Sequence, residues 1–147
     1  MIAIGCDHGG FEHKCAIVKF LKEQGYEVKD FGTDSNASVD YADYAKAVAL
    51  SVKSGESEKG ILICGTGIGM SLAANKVKGI RAAVCGDYFS AKFTRAHNDS
   101  NILCLGQRVV GEGLAIELVK IFLATEFEGG RHATRIAKIA EIENENI

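Results

Sequence analysis

The chain has 147 residues, and 17 lysines and arginines against 19 aspartates and glutamates leave a formal charge of -2, so no basic field points to nucleic acid or a membrane surface as a partner. Apolar residues at 47% and charged residues at 24% lie near the globular average, which excludes long disordered tails, collagen-like repeats and coiled coils. One domain spanning residues 1–147, with a core that needs no covalent staple, is the expectation at this length.

In chain order, Ile2 to Cys6 is a first apolar run of strand length. Phe11 to Glu23 then places Cys15, Val18 and Leu21 on one helical stripe, with Gly25 as its C-cap. Val28 to Phe31 reads as a second strand, Tyr44 to Val52 as a helix and Gly60 to Cys64 as a third strand. Ile80 to Cys85 and Ile102 to Leu105 supply two more strands, and Leu114 to Leu123 another helix. A last helix is expected from near Arg131, with a narrow stripe of Ile136, Ile139 and Ala140 and with Arg131 and Arg135 together on a different face. Strands without polar alternation belong in a parallel sheet covered on both faces. The predicted architecture is therefore α/β, a three-layer Rossmann-like sandwich of five parallel strands with an extra C-terminal helix.

Glycine is abundant, at 17 residues, and proline is absent, so turns must be built with glycine. Five cysteines, widely spaced and without a CxxC pair, fit reduced thiols in a cytoplasmic protein. The N-terminus shows no signal-peptide pattern and no run of 18 apolar residues occurs.

Open parallel sheets bind ligands outside the carboxyl ends of their strands. Three segments are expected to face one crevice there: Asp7-His8-Gly9-Gly10 after strand one, Gly65-Thr66-Gly67-Ile68-Gly69-Met70-Ser71 after strand three, and His97-Asn98-Asp99 before strand five. The second segment has the composition of an anion cradle. It lacks the Gly-Lys-Ser/Thr of a P-loop, and Met70 stands where the dinucleotide fingerprint needs its third glycine. Cys64, at the end of a strand and beside a helix start, is where a thiol turns reactive. Buried filler is the competing reading for it, as for Cys15, Cys85 and Cys104. A metal site built from Cys6, Cys64, Cys85 and Cys104 is not demanded by the spacing. His8 and His97 fit either acid/base work or structural hydrogen bonds. Arg131 and Arg135 are either solvated charges or a phosphate grip.

Taken together, Gly5-Cys6-Asp7-His8-Gly9-Gly10-Phe11, Asp40-Tyr41, the Gly60 to Gly69 segment, Ala73-Ala74-Asn75-Lys76, Gly79-Ile80-Arg81-Ala82, Arg95 to Asp99, Gly106 to Gly111 and Gly129-Gly130-Arg131-His132 resemble the type B ribose-5-phosphate isomerases. That family also holds galactose- and allose-6-phosphate isomerases. The resemblance spans nearly the whole chain. It implies an aldose-ketose isomerase without metal or cofactor, acting on a small sugar phosphate as a homodimer or dimer of dimers whose sites lie between subunits. By the same resemblance Cys64 is the base, Thr66 passes a proton between the two oxygens of an enediolate, and His97 opens the sugar ring. The backbone amides of Gly65, Thr66, Gly67, Ile68, Gly69, Met70 and Ser71 hold the enediolate oxygen. Asp7 and Tyr41 orient hydroxyls, and Asn98 adds a polar contact. His8, Arg131 and Arg135 take the phosphate, with Arg108 a further candidate. Some relatives use a carboxylate as base, and Ile68 offers none here, so the thiol route is expected. A hexose-6-phosphate isomerase would use the same residues. A non-catalytic sugar-phosphate sensor would leave Cys64 and His97 without purpose.

Overall fold

A computed structural model describes residues 1–145 and 147. Its strands are β1 (Ile2–Cys6), β2 (Val28–Asp30), β3 (Lys59–Cys64), β4 (Ala82–Val84) and β5 (Ile102–Gly106). Its helices are α1 (Phe11–Glu23), α2 (Tyr41–Lys53), α3 (Ile68–Ala74), α4 (Tyr88–Asn98), α5 (Glu112–Ala124) and α6 (Arg131–Asn144), with a 3-10 turn at His8–Gly10. All strand pairs are parallel and the order across the sheet is β2-β1-β3-β5-β4.

The three inner strands are buried along their length because both faces are covered. On one face Ile4, Ile61, Ile63, Leu103 and Leu105 pack against Ile17 and Leu21 of α1, Ala91 of α4 and Leu118, Val119 and Phe122 of α5. On the other, Ala3, Leu62, Cys64, Ile102 and Cys104 meet Val48, Ala49 and Val52 of α2 and Met70 and Ala74 of α3. Burying a side chain such as Phe122 contributes about 2–3 kcal/mol. The four cysteines of the conceivable metal site are divided by this layering, with Cys6 and Cys85 in the first layer and Cys64 and Cys104 in the second.

Several boundaries differ from those read in the sequence. The outer strands β2 and β4 are three residues each, shorter than the apolar runs that mark them, because an edge strand has one neighbour to pair with. Ile80 instead closes a turn onto Val77. Helix α2 begins one turn earlier than its apolar stripe, at Tyr41. Cys15 is exposed on α1 and fills no core. Among the described residues no helix is long and apolar enough to cross a membrane.

The connection between β4 and β5 brings the main correction. In a parallel sheet every loop that leaves a helix and enters a strand lies at the amino edge. His97 and Asn98 occupy the last turn of α4, immediately before β5, and so lie at the amino edge rather than in the crevice with Cys64. Along the six residues of β3 the two edges are separated by about 16 Å.

Candidate active site

At the carboxyl edge, β1, β3 and β5 end side by side, with Cys64 paired to Gly106 and Cys6 to Ile63. The chain leaving β3 turns at once into α3, and Gly67 takes φ +81, the left-handed region that favours glycine. A Cβ there would also stand 3.0 Å from the carbonyl carbon of Leu105. This turn directs the Gly67 N–H at the Cys64 sulfur, 3.1 Å away. Cys64 is 5% exposed, and its sulfur serves as acceptor for that amide.

Not every amide of the loop is available to a ligand, contrary to the sequence expectation. Gly67 N–H is engaged with Cys64 Sγ, Ile68 N–H donates to Thr66 Oγ1 at 3.2 Å, and Ser71 N–H donates to the Gly67 carbonyl. Gly69 and Met70 stand in the first turn of α3, where amides have no intrahelical acceptor. The Met70 side chain is fully buried and Ser71 Oγ donates to Ile68 O, so neither side chain is free for a ligand. Thr66 is exposed over the loop.

The other groups at this edge converge on the loop. Asp7, 7% exposed, accepts from the Gly9 N–H at 2.8 Å and so caps the 3-10 turn. A Cβ on Gly9 would come 3.1 Å from the Gly65 nitrogen, which measures how closely the two loops pack. His8 Nδ1 accepts from the Val39 N–H at 3.2 Å, which leaves Nε2 as the protonated, donating nitrogen. The Tyr41 ring lies over α3, since a Cβ on Gly69 would stand 2.7 Å from its Cζ. Arg108 donates its N–H to Gly65 O and runs its side chain past Gly65. Asp7, His8 and Tyr41 line a cleft of 590 Å³ with Val39, Asp40 and Asp43.

Of the five cysteines only Cys64 borders this loop. Burial holds three others as thiols: the Cys6 thiol is pushed up to about 12 and that of Cys85 to about 11. The Cys104 thiol is also pushed up, by burial first and then by its neighbours Cys64 and Cys85.

The remaining predicted residues form a second group at the amino edge. His97 is half-exposed, and its ring stacks on that of His132 with centroids 4.1 Å apart and planes 10° apart. Glu128 Oε1 is 3.7 Å from His97 Nε2 and 3.6 Å from His132 Nε2. Arg131 and Arg135 are exposed on the first turns of α6 beside this cluster, and their charges help hold the His132 imidazolium below its ordinary range, after burial and His97. Asn98 is exposed at the end of α4. The predicted phosphate set is thus divided within one chain, with His8 and Arg108 at one edge and Arg131 and Arg135 at the other. Glu128 was not singled out in the sequence, and His132 was quoted only within the resembling motif, without a role. Their i, i+4 spacing was visible, but their contact with His97 depends on the docking of α6.

The sequence profile of the Ribose/Galactose Isomerase family matches residues 2–139. The chain is 54% identical to ribose-5-phosphate isomerase B of Escherichia coli, with 97% of this chain and 95% of the relative covered. The fold matches the ribose-5-phosphate isomerase B of Clostridium thermocellum with TM-score 0.98 and 59% identity, over 99% of both chains. It also matches that of Mycoplasma genitalium, solved with bound ribulose-5-phosphate, with TM-score 0.94 and 44% identity over 98% of this chain and 96% of the other.

Proposed function

Because the chain belongs to the ribose/galactose isomerase family, we propose that it interconverts ribose 5-phosphate and ribulose 5-phosphate through an enediolate, with Cys64 as the base. The observation that carries this reading is the placement of Cys64 at the carboxyl edge, with its sulfur under the Gly67 amide, in a loop against which the Asp7–Gly9 turn and Tyr41 pack. No other cysteine of the chain is so placed.

The chemistry divides into two stages. A 5-phosphorylated aldopentose closes to a furanose, so the ring must first open. The C1 hydroxyl gives its proton to water, the bond from C1 to the ring oxygen breaks with its electron pair on that oxygen, and the His97 imidazolium supplies the proton there. Cys64 thiolate then takes the C2 proton of the aldehyde, the electron pair moves through C1 to the carbonyl oxygen, and the resulting enediolate is held by loop amides. Gly65, Thr66, Gly69 and Met70 are the amides left for that task. The Thr66 hydroxyl moves a proton from the C2 oxygen to the C1 oxygen, and Cys64 returns its proton to C1. Asp7, Tyr41 and Asn98 hold sugar hydroxyls. His8, Arg108, Arg131 and Arg135 take the phosphate, whose binding aims the reacting carbons at the sulfur.

One chain does not hold both stages within reach, because Cys64 and His97 lie at opposite edges of the sheet. We infer a homodimer in which the amino-edge group of one copy, His97 with Asn98, Arg131 and Arg135, closes over the Cys64 loop of the other. Large apolar side chains exposed near that loop, Ile68, Leu72 and Val109, support the pairing. Free cysteines throughout suit a reducing, cytoplasmic setting.

The deciding experiment compares the rate of ketose formation from ribose 5-phosphate, allose 6-phosphate and galactose 6-phosphate, with deuterium incorporation from heavy water as the mark of proton abstraction. Preference for a hexose phosphate overturns the substrate assignment, and absence of exchange with every sugar overturns the isomerase reading.

A further inference from the structure

The cluster at the amino edge contains two side chains that the mechanism above does not use. His132 is buried, with its side chain 10% exposed, and lies flat on the His97 ring. Phe93 packs on the same ring at 4.9 Å and is itself backed by Phe89 at 4.5 Å. The imidazole of His97 is thus held between neighbours rather than free to rotate as an exposed histidine would be. Glu128 is fixed from its backbone, since its N–H donates to the Ala96 carbonyl in the last turn of α4 at 3.0 Å. That bond sets its carboxylate opposite both Nε2 atoms.

His97, Glu128 and His132 offer ligand atoms within 4.8 Å of one another, but the parallel rings aim their Nε2 lone pairs side by side. A metal ion needs lone pairs that converge, so the arrangement fits proton holding better than metal holding. We propose that Glu128 and His132 are positioning residues for His97, the carboxylate keeping the proton on the His97 imidazole and the His132 ring fixing the plane from which that proton is delivered to the sugar ring oxygen. This inference rests on His97 acting in ring opening.

Two stacked imidazoles at this distance disfavour a charge on both. Burial disfavours the charged form of His132, with His97, Arg131 and Arg135 opposing it further and Glu128 favouring it. The charged groups around His97 are few. Glu128 comes from the segment after α5, and Arg131 and Arg135 come from α6. On α4 itself Arg95 and Asp99 pair with each other at 2.8 Å, and Lys92 lies over the Phe93 ring at 5.6 Å. Glu128 is the anion placed against His97 Nε2.

The test is Glu128→Gln, which keeps the shape and removes the charge, examined in the intact protein by two readouts. The first is the NMR titration of the His97 ring, whose midpoint is expected to move down when the carboxylate charge 3.7 Å from its Nε2 is removed. This readout does not depend on turnover, so it decides the coupling even if the isomerase reading fails. The second uses the two directions of reaction. Ribulose 5-phosphate stays open-chain, since the oxygen that would close its ring is phosphorylated, and it needs no ring opening. The alkaline limb of the rate from ribose 5-phosphate is expected to move to lower pH, with kcat about three- to tenfold lower at pH 8. The rate from ribulose 5-phosphate should stay within about twofold. His132→Ala is expected to reproduce the loss in the aldose direction, and His132→Phe, which restores a flat ring, to recover it. An unmoved His97 midpoint, or equal losses in both directions, overturns the proposal.

Discussion

Replacing Cys64 by serine separates the chemical role of the sulfur from its structural one. The serine hydroxyl still accepts the Gly67 amide, so stability is expected within about 1 kcal/mol of the parent. Alanine at the same place leaves that amide without an acceptor in a site that is 5% exposed, which costs about 1–3 kcal/mol and lowers Tm by about 2–4 °C for each kcal/mol in a chain of this size. Both substitutions remove the group proposed to take the C2 proton. A positioned base is worth about 100- to 10,000-fold, or about 3–5 kcal/mol of barrier, and turnover from either sugar should fall by that factor. Binding of an open-chain sugar-alcohol phosphate uses other groups and is expected to change by less than about threefold. Ketose formation, deuterium exchange, calorimetric binding and thermal melts on the two variants together test each part. Cys64→Ser keeping more than about a tenth of the parent turnover refutes the assignment of the base.

Three further outcomes follow from the geometry. Assayed from ribose 5-phosphate, mixing the separately impaired variants Cys64→Ser and His97→Ala under conditions of subunit exchange should restore about a quarter of parent activity, because half the dimers are mixed and each mixed dimer holds one intact site; no recovery refutes the shared site. Gly67→Ala puts a Cβ on a φ of +81 and 3.0 Å from the Leu105 carbonyl carbon, and left-handed strain alone should lower stability by about 1–2 kcal/mol while pulling the amide off the sulfur, so that melts and turnover fall together. Stability should drop above pH 9: Cys6 at about 12 and Cys85 at about 11 stay protonated in the folded chain, as does Cys104, while the unfolded thiols release protons from about pH 8.5. The native state then binds more protons, and each thiol costs up to about 1.4 kcal/mol per pH unit until its folded value is reached. Denaturant melts between pH 8 and 11 measure the slope, and a flat profile contradicts it.

How much of this was legible beforehand depends on the range of the signal. Unbroken apolar runs such as Gly60 to Cys64 marked buried strands, because only a sheet covered on both faces tolerates them. The glycines from Gly65 to Gly69 marked the tight turn from β3 into α3, since Gly67 takes φ +81, which favours a residue without a Cβ. The extent of the edge strands was not legible: Val28–Asp30 and Ala82–Val84 stop where a single neighbour ceases to pair. Nor were the amides already engaged inside the loop, because Ser71 and Thr66 are as polar when they bond their own backbone as when they bond a ligand.

By itself the amino-acid order determined the α/β class, the family and a list of candidate polar side chains, which it gathered at one crevice, all of them written in short stretches of chain. The tertiary structure alone decided which end of the sheet each side chain occupies and which strands are neighbours. His97 follows a helix and precedes a strand, and in a sheet whose strands all run parallel every such junction lies at the amino edge. The separation of these side chains into two sets is therefore a property of chain direction through the whole sheet. The same docking put Glu128 and His132 against His97, a contact made between α4, α6 and the segment joining α5 to α6 that no local pattern records.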